Sequence, residues 1–358
     1  MKILVLHGSN DRYGASQVLL TEIEALEKLG NKVNLMVPFD GPLEKMLKAR
    51  KLDARVTINN HMPVIRRSKP FSLLKVTYGK SQIEAADIVI VWTLALSLYI
   101  PTLLFRRKKF YVSIHELAQS RFLKLLVNVQ IAPFRFPIQV NSDAVQTWLI
   151  NNGIDDKRIT KCYPSFRQEK LTMKNSLSLD SFGVVGRVNG KKGHLEVAKA
   201  FSQQVFSRTK SLHLFGAPFP GQETHLNQLL EFISNDNRIH YHGEVENFQE
   251  ASKHFSLLLS FPAYMESLGL TPIEAYFQNI RVAGYADGGS NEIFRLVDGI
   301  GVHRTSNPIQ DIQRFFSNTL CFEDHSKWKP MHFEIARDFS QDQRIRGIDE
   351  LLNKLVVS

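Results

Sequence analysis

Short β-branched runs alternate with helical segments along almost the whole chain, and that alternation constrains the fold more than any other feature. "KILVLH" precedes a helical stretch in "SQVLLTEIEALEKLG", which Gly30 closes as a C-cap. "KVNLMVP" leads into a helix in "GPLEKMLKAR", and "ARVTIN" is a short strand. A basic linker, "RRSKP", precedes a helix over "FSLLKVTYGKSQIEAA". "DIVIVWT", "FYVSIHE" and "PIQVNS" are strands, and "DAVQTWLINNG" is a helix capped at Ser142 or Asp143. The pattern then restarts with the strand "SFGVVGRV" and the helix "HLEVAKAFSQQVF". "SLHLFG", "RIHYHGEV", "SLLLSFP" and "RVAGYA" are further strands, and "SQDQRIRGIDELLNKLVVS" closes the chain as an amphipathic helix. Alternation at these lengths implies parallel sheets covered by helices on both faces. Two such runs imply two doubly wound domains facing a cleft. The boundaries are 1–163 for the first, 164–180 for a polar linker, 181–335 for the second and 336–358 for a C-terminal helical segment. In such sheets ligands bind at the carboxyl ends of strands, so functional residues belong there.

The chain has 358 residues, enough for two domains with cores of their own. Its two cysteines, Cys162 and Cys321, fall one in each half, which argues against a disulfide framework and fits a reducing, cytoplasmic compartment. "MKILVLHGSN" reads as a first strand; a secretory leader needs a longer apolar region and a small-residue cleavage site. Residues 1–163 carry 24 basic and 13 acidic side chains, a net of +11, whereas residues 164–358 carry 21 and 22. A basic first half suits anionic partners, among them a membrane surface on whose inner face the protein would sit peripherally, although it also serves solubility. The run "IVIVWTLALSLYIPTLLF" from Ile88 to Phe105 holds 18 uncharged residues before "RRKK". Its β-branched start and Pro101 favour a buried strand followed by a buried helix over a membrane span.

Chemistry concentrates at a few strand ends. In "AYMESLGLTPIEAYF", Pro262 ends the preceding strand, Thr271 can cap the next helix, and Pro272 would occupy its first position. The amides near Gly269, Leu270 and Thr271 would then be free donors suited to phosphate. Glu266 precedes that anion site and Glu274 follows it, matching hydroxyls on either side of a diphosphate. Thr271-Pro-Ile-Glu274 also fits a capping box, and the residues leave both readings open. In "VVGRVNGKKGHLE", Arg187, Lys191 and Lys192 lie in a glycine-containing loop at a strand end, a setting suited to a diphosphate. The spacing is not that of a Walker motif. "HGSNDRYGAS" occupies the position of a dinucleotide loop, but Gly8 and Gly14 do not fit G-x-G-x-x-G. His115 ends the strand in "SIHE", and Glu292 lies in the first turn after Gly288 and Gly289. No histidine or cysteine cluster has metal-ligand spacing, and no Asp-x-Asp pair is present to hold an ion on a diphosphate.

Together these motifs resemble the retaining glycosyltransferases of family 4, which have the GT-B fold. Glu266 and Glu274 within "ESLGLTPIEA" are similar to that family's E-x7-E signature. "GRVNGKKG", "HLFG", "YHGEV" and "GGSNEI" follow at family-like intervals. The resemblance implies two Rossmann-like domains facing a cleft, with the C-terminal helix packing back on the first. It implies that Arg187 and Lys192 hold the diphosphate, Glu266 the donor sugar and Glu274 the ribose. Gly269, Leu270 and Thr271 would cradle phosphate, with Ser267 and Leu268 beside them. Gly243 and Val245 would approach the base, His115 the reacting sugar, and the Gly8–Gly14 loop the acceptor and diphosphate. Many members carry Gly-Gly-Ala-Glu in that first loop, where this chain has Tyr13-Gly14-Ala15-Ser16.

The resemblance further implies a nucleotide-sugar donor, a saccharide or lipid-linked acceptor as in bacterial surface polysaccharide or glycolipid assembly, and no metal or other cofactor. Transfer would proceed by front-face displacement, with the domains closing around the substrates. Two other readings remain: an NDP-sugar epimerase or hydrolase on the same fold, and a non-enzymatic nucleotide-binding protein. Nucleic acid is not expected as a partner, because no aromatic-basic RNA motif is present.

Overall fold

The computed structural model describes residues 1–65, 77–117, 121–166, 180–204, 210–219, 221–319 and 333–357. It divides into two compact units, Met1–Arg167 with Arg337–Ser358, and Gln168–Ala336. The first contains β1 (Lys2–His7), α1 (Gly14–Lys28), β2 (Lys32–Val37), α2 (Leu43–Ala49), β3 (Arg55–Ile58), α3 (Lys80–Ala85) and β4 (Ile88–Trp92). It continues through α4 (Tyr99–Phe105), β5 (Lys109–Ile114), α5 (Arg121–Leu126), β6 (Ile138–Val140), α6 (Asp143–Ile150) and β7 (Ile159–Lys161). The second contains β8 (Ser181–Val185), α7 (His194–Ser202), β9 (Ser211–Phe215), α8 (Thr224–Ile233), β10 (Ile239–Gly243), α9 (Phe248–Ser252) and β11 (Leu257–Ser260). It continues through α10 (Leu270–Phe277), β12 (Arg281–Tyr285), α11 (Gly288–Leu296), β13 (Ile300–Val302) and α12 (Pro308–Thr319). Two more helices follow, α13 (Phe333–Asp338) and α14 (Gln341–Val357).

The strands of the first unit form a seven-stranded parallel sheet in the order β3-β2-β1-β4-β5-β6-β7. Every residue of β4 is buried, as a central strand covered on both faces requires. The apolar run continues through a single 3-10 turn into α4, a helix of 7 residues. Among the described residues no helix is long and apolar enough to cross a membrane. Of the basic cluster that follows, Arg106 pairs with Glu84 at 2.6 Å, and Lys108 donates to the Ala86 carbonyl at 2.6 Å.

The C-terminal helix α14 packs on α1, β5 and β7, all within the first unit. A Cβ on Gly347 would lie 2.5 Å from Cys162 Sγ, so glycine sets how closely α14 approaches the sheet. Beside it Arg344 and Glu22 form an ion pair with neither side chain exposed. Arg344 also donates to the carbonyls of Cys162 and Tyr163, each at 2.8 Å. Glu22 accepts from the Tyr111 hydroxyl and from Gln139 Nε2. Burial pushes the Cys162 thiol up to about 12, so it stays protonated.

The second unit carries a six-stranded parallel sheet in the order β10-β9-β8-β11-β12-β13. Phe182, Val184, Leu212, Leu214, Leu257 and Leu259 point to one face, where they pack with Phe201 of α7 and Phe316 of α12. Phe182, Phe201 and Phe316 meet edge to face, with ring centroids 5.4 to 6.0 Å apart.

Several sequence expectations shift. The helix expected over 71–86 is α3 alone among the described residues; Gly79, at φ +62°, precedes it, and 66–76 lie outside the description. Two short strands, β7 and β13, and the helical segment from Arg121 to Ile131 were not read from sequence. Each strand has 3 residues, too few to display a period. Ser142, not Asp143, caps α6 by accepting from the Val145 amide. Most of the expected linker, 167–179, and Cys321 lie outside the described residues.

Replacing Arg344 by Met should strand the Glu22 carboxylate in the interior and destabilise the first unit by about 3–5 kcal/mol, measured by urea unfolding. Replacing Lys48, whose pair with Glu44 is exposed, should leave the midpoint unchanged. A similar loss in both variants would contradict this ranking.

Candidate functional site

In the second unit, four adjacent strand ends build one surface. After β8 the chain turns at Gly186, and a Cβ on Gly216 at the end of β9 would fall 1.8 Å from the Gly186 carbonyl. The Gly216 amide donates to the Gly243 carbonyl at 2.7 Å, bringing in the end of β10. On the other side, the Ala263 amide after β11 donates to the Lys191 carbonyl at 2.9 Å. The loop after β8 and the loop after β11 are thus fixed against each other by backbone contacts.

Lys192 lies just before α7, and its ammonium pairs with Glu266. Glu266 in turn lies just before α10, and its carbonyl accepts from the Gly289 amide at 2.8 Å, in the first turn of α11. The starts of three helices therefore gather around one lysine–glutamate pair. Gly289 has no room for a side chain, since a Cβ would sit 2.0 Å from the Ser267 carbonyl. The Ser290 hydroxyl is buried with no hydrogen-bond partner among the described residues and lies near Gly269.

Helix α10 begins earlier than sequence reasoning expected. Gly269, at φ +86°, is its N-cap and carries no side-chain cap, so Pro272 is the third helical residue rather than the first. Glycine takes this left-handed conformation without strain, which lets the helix start before Thr271. Thr271 is thus inside the helix, and the expected capping role falls to the Gly269 backbone. Proline remains tolerable because amides in the first turn have no intrahelical acceptor.

Glu274 is half-buried, and desolvation pushes its carboxyl up to about 7 against the opposing pull of Lys192. Lys192 therefore acts on both glutamates. Arg187 extends over the Phe219 ring, 3.6 Å from its centre. Nearby His194 is buried, which lowers it to about 4, and its neutral ring donates from Nε2 to the Phe215 carbonyl. The second unit thus brings Arg187, Lys192, Glu266, Ser267, Leu268, Gly269, Leu270, Thr271, Glu274 and Gly243 to its carboxyl edge, with Val245 two residues past β10.

Gly8, Gly14 and His115 belong to the first unit. The Gly8–Gly14 loop is organised by Asp11, which accepts from the hydroxyls of Ser9 and Ser16 and from the Tyr13 amide at 2.6 to 2.9 Å. Ser16, at the residue where the family pattern has an acid, also meets His7 Nε2 at 3.1 Å. Burial lowers His7 to about 4 despite Asp11, so its ring is neutral near pH 7.

His115 follows β5 and packs against Trp92, with centroids 4.4 Å apart and the ring planes tilted by 43°. Burial, then the charge of Arg344, lower it to about 3. The tautomer follows from a chain of hydrogen bonds. Gln139 gives its amide protons to Glu22, so its oxygen accepts the Ser113 hydroxyl. Ser113 Oγ can then accept only from His115 Nε2, 2.8 Å away. Nδ1 is left as a buried lone pair without a partner among the described residues.

Four features of these sites escaped sequence reasoning. Glu116, pushed up to about 7 by burial, accepts from the Leu94 and His115 amides. Its position beside His115 was the available signal. Thr93 holds φ +83° and ψ 154° at the end of β4, strain worth about 1–3 kcal/mol that no sequence pattern announces. Arg304 clamps Asp287 at 2.5 Å and the Pro262 carbonyl at 2.6 Å, tying the loop after β11 to the start of α11. Folding also brings His213, His242 and His254 together, a grouping that no metal-ligand spacing along the chain announced. They lie on different elements, so their spacing along the chain carried no ligand signature.

No family model matches the chain, and no curated protein sequence matches it. Solved structures do. HepE of Anabaena in complex with UDP and glucose superposes with a TM-score of 0.79 at 18% identity, covering 99% of each chain. A glycosyltransferase of Rickettsia africae gives 0.75 at 17% identity, covering 99% of this chain and 98% of that one. Sucrose-phosphate synthase of Thermosynechococcus elongatus gives 0.75 at 15% identity, covering 99% of each. At these identities the likeness establishes architecture: the chain has the GT-B fold.

The Glu274 carboxyl binds its proton more tightly folded than unfolded, so this group's stabilisation is present below about pH 4.5 and is lost as pH rises through about 7. Glu274→Gln should therefore gain melting temperature relative to the parent between about pH 5 and about pH 8. A constant difference across that range would contradict the buried-carboxyl assignment.

Proposed function

We propose that this protein transfers a sugar from a nucleoside diphosphate-sugar to an acceptor hydroxyl with retention of anomeric configuration. The observation that carries the reading is Lys192 placed between Glu266 and Glu274 where the starts of α7, α10 and α11 converge. An ammonium has three donors, so Lys192 can keep Glu266 and also take a phosphate oxygen. Arg187, held over Phe219, supplies a second cation for the diphosphate. The amides of Gly269, Leu270 and Thr271 face the same anion, at the positive end of α10. Glu266 then meets hydroxyls of the donor sugar, and Glu274 meets the ribose.

Charge on the diphosphate grows as the glycosidic bond breaks. Lys192, Arg187 and the helix amides stabilise that charge, which lowers the barrier without a protein nucleophile. The acceptor hydroxyl attacks from the side the diphosphate leaves, and a phosphate oxygen takes its proton. The two glutamates orient the donor and are not a glycosidase acid–base pair. His115, neutral and with a bare Nδ1, is suited to accept a hydroxyl of the reacting sugar. HepE holds UDP-glucose in one of its structures, which supports a uridine nucleotide among the donors to be tested.

Calorimetry with UDP and GDP tests the assignment. Glu274→Ala should weaken nucleotide binding by about tenfold or more, as expected for losing hydrogen bonds to a charged group. Glu266→Ala should bind free nucleotide nearly as well as the parent yet transfer sugar far more slowly. Parental turnover in both variants would overturn the assignment. Diphosphate neutralisation by side chains and amides predicts that EDTA leaves transfer intact; loss restored by Mg2+ or Mn2+ would contradict it.

A further inference from the structure

Along β9, Leu212 and Leu214 face the core, while His213 and Phe215 face the opposite side of the sheet. On the neighbouring edge strand β10, His240 and His242 lie on that same side. His254, just after α9, completes the group, with its ring 4.6 Å from that of His242 and 5.7 Å from that of His213. The face of this sheet edge is thus lined by imidazoles, with no carboxylate in the set.

The rings are held in an orientation that favours a ligand. His213 Nδ1 lies 2.9 Å from His242 Nε2. His213 Nε2 meets the Ser211 hydroxyl at 3.0 Å, which fixes the ring with Nδ1 turned inward. Phe215 lies flat on the His242 ring, 4.5 Å away and within 7° of parallel. One nitrogen from each of His213, His242 and His254 falls within 4.8 Å of the other two. Two imidazole nitrogens on a tetrahedral ion with bonds of about 2.0–2.1 Å stand roughly 3.3 Å apart, so small ring rotations suffice. Burial and the neighbouring histidines lower His213 to about 4, which keeps its ring neutral near pH 7.

We propose that His213, His242 and His254 form a binding site for a divalent first-row transition ion, Zn2+ in the first instance. Three imidazole ligands suit Zn2+, Cu2+ and Ni2+ and not Mg2+ or Ca2+, and the exposed side leaves a fourth position for water. On binding, the ring that carries the proton between His213 Nδ1 and His242 Nε2 shifts it to its own other nitrogen, His213 Nε2 or His242 Nδ1, so both inward nitrogens can coordinate. The ion would clip edge strand β10 to β9 and to the residue after α9. The β9–β10 ladder shifts register between Tyr241 and Gly243, beside His242. The site is independent of the transfer reading and uses none of its residues.

Titrating Zn2+ into chelator-treated full-length protein by calorimetry tests this, with Mg2+ as the control ion. The expected result is one saturable Zn2+ site, a rise in melting temperature with Zn2+, and no response to Mg2+. The exposed substitutions His242→Ala and His254→Ala should each weaken binding at least about tenfold and abolish the rise, as loss of one of three ligands should. His240→Ala should keep both, because its ring lies outside the ligand set. Unchanged affinity in the His242→Ala His254→Ala double variant, or no saturable Zn2+ site in the parent, would overturn the proposal.

Discussion

Arg344 and Glu22 are both fully buried, and each makes the other tolerable. A lone charge in either place would carry a large desolvation cost, so α14 and α1 must pack together. Glu22 spends its remaining acceptor capacity on Tyr111 and Gln139, which lie on β5 and β6. The pair therefore ties the last helix of the chain to the first helix and to the middle of the first sheet. It also reaches the carboxyl end of β5: by ordering Gln139 it orders Ser113, and by ordering Ser113 it sets which nitrogen of His115 carries the proton. Arg344 thus shapes the chemistry of the distant His115 through three intervening side chains, Glu22, Gln139 and Ser113.

The second unit solves a different electrostatic problem. It gathers the positive starts of three helices, a lysine and two glutamates at one sheet edge. Glu266 pairs with Lys192, and Glu274, further inside, is half-neutralised by desolvation near pH 7. Among the described residues neither carboxylate pairs with a second cation. Backbone contacts and the Arg304 clamp hold the loops in register: glycines at 216 and 289 allow approaches that any side chain would block. The proposed anion site needs donors fixed before any ligand arrives, and loops held in this way supply that.

Much of this was legible in the chain. Short apolar, β-branched runs and period-3.6 patterning reveal the long strands and helices, because strands such as β4 are buried on both faces and contain nothing but apolar residues. "ESLGLTPIEA" and "GRVNGKKG" pointed to the carboxyl edge because the residues that define it are local in sequence. The start of α10 was misplaced since a glycine cap leaves no side-chain signature, whereas Thr271-Pro272 offers a conspicuous false one. The three-residue strands β7 and β13 were too short to show a period. Arg304, Thr93 and the histidine face depend on pairings between distant segments, for which a single sequence offers no register.

The central claim is that the carboxyl edge of the second sheet receives a nucleoside diphosphate. A crystal structure with UDP or GDP bound tests it directly. The account predicts phosphate oxygens within hydrogen-bonding distance of Lys192 and Arg187 and of the amides at 269–271, with Glu274 at the ribose. A nucleotide bound elsewhere, or bound with Lys192 and Arg187 turned away from its phosphates, would contradict it.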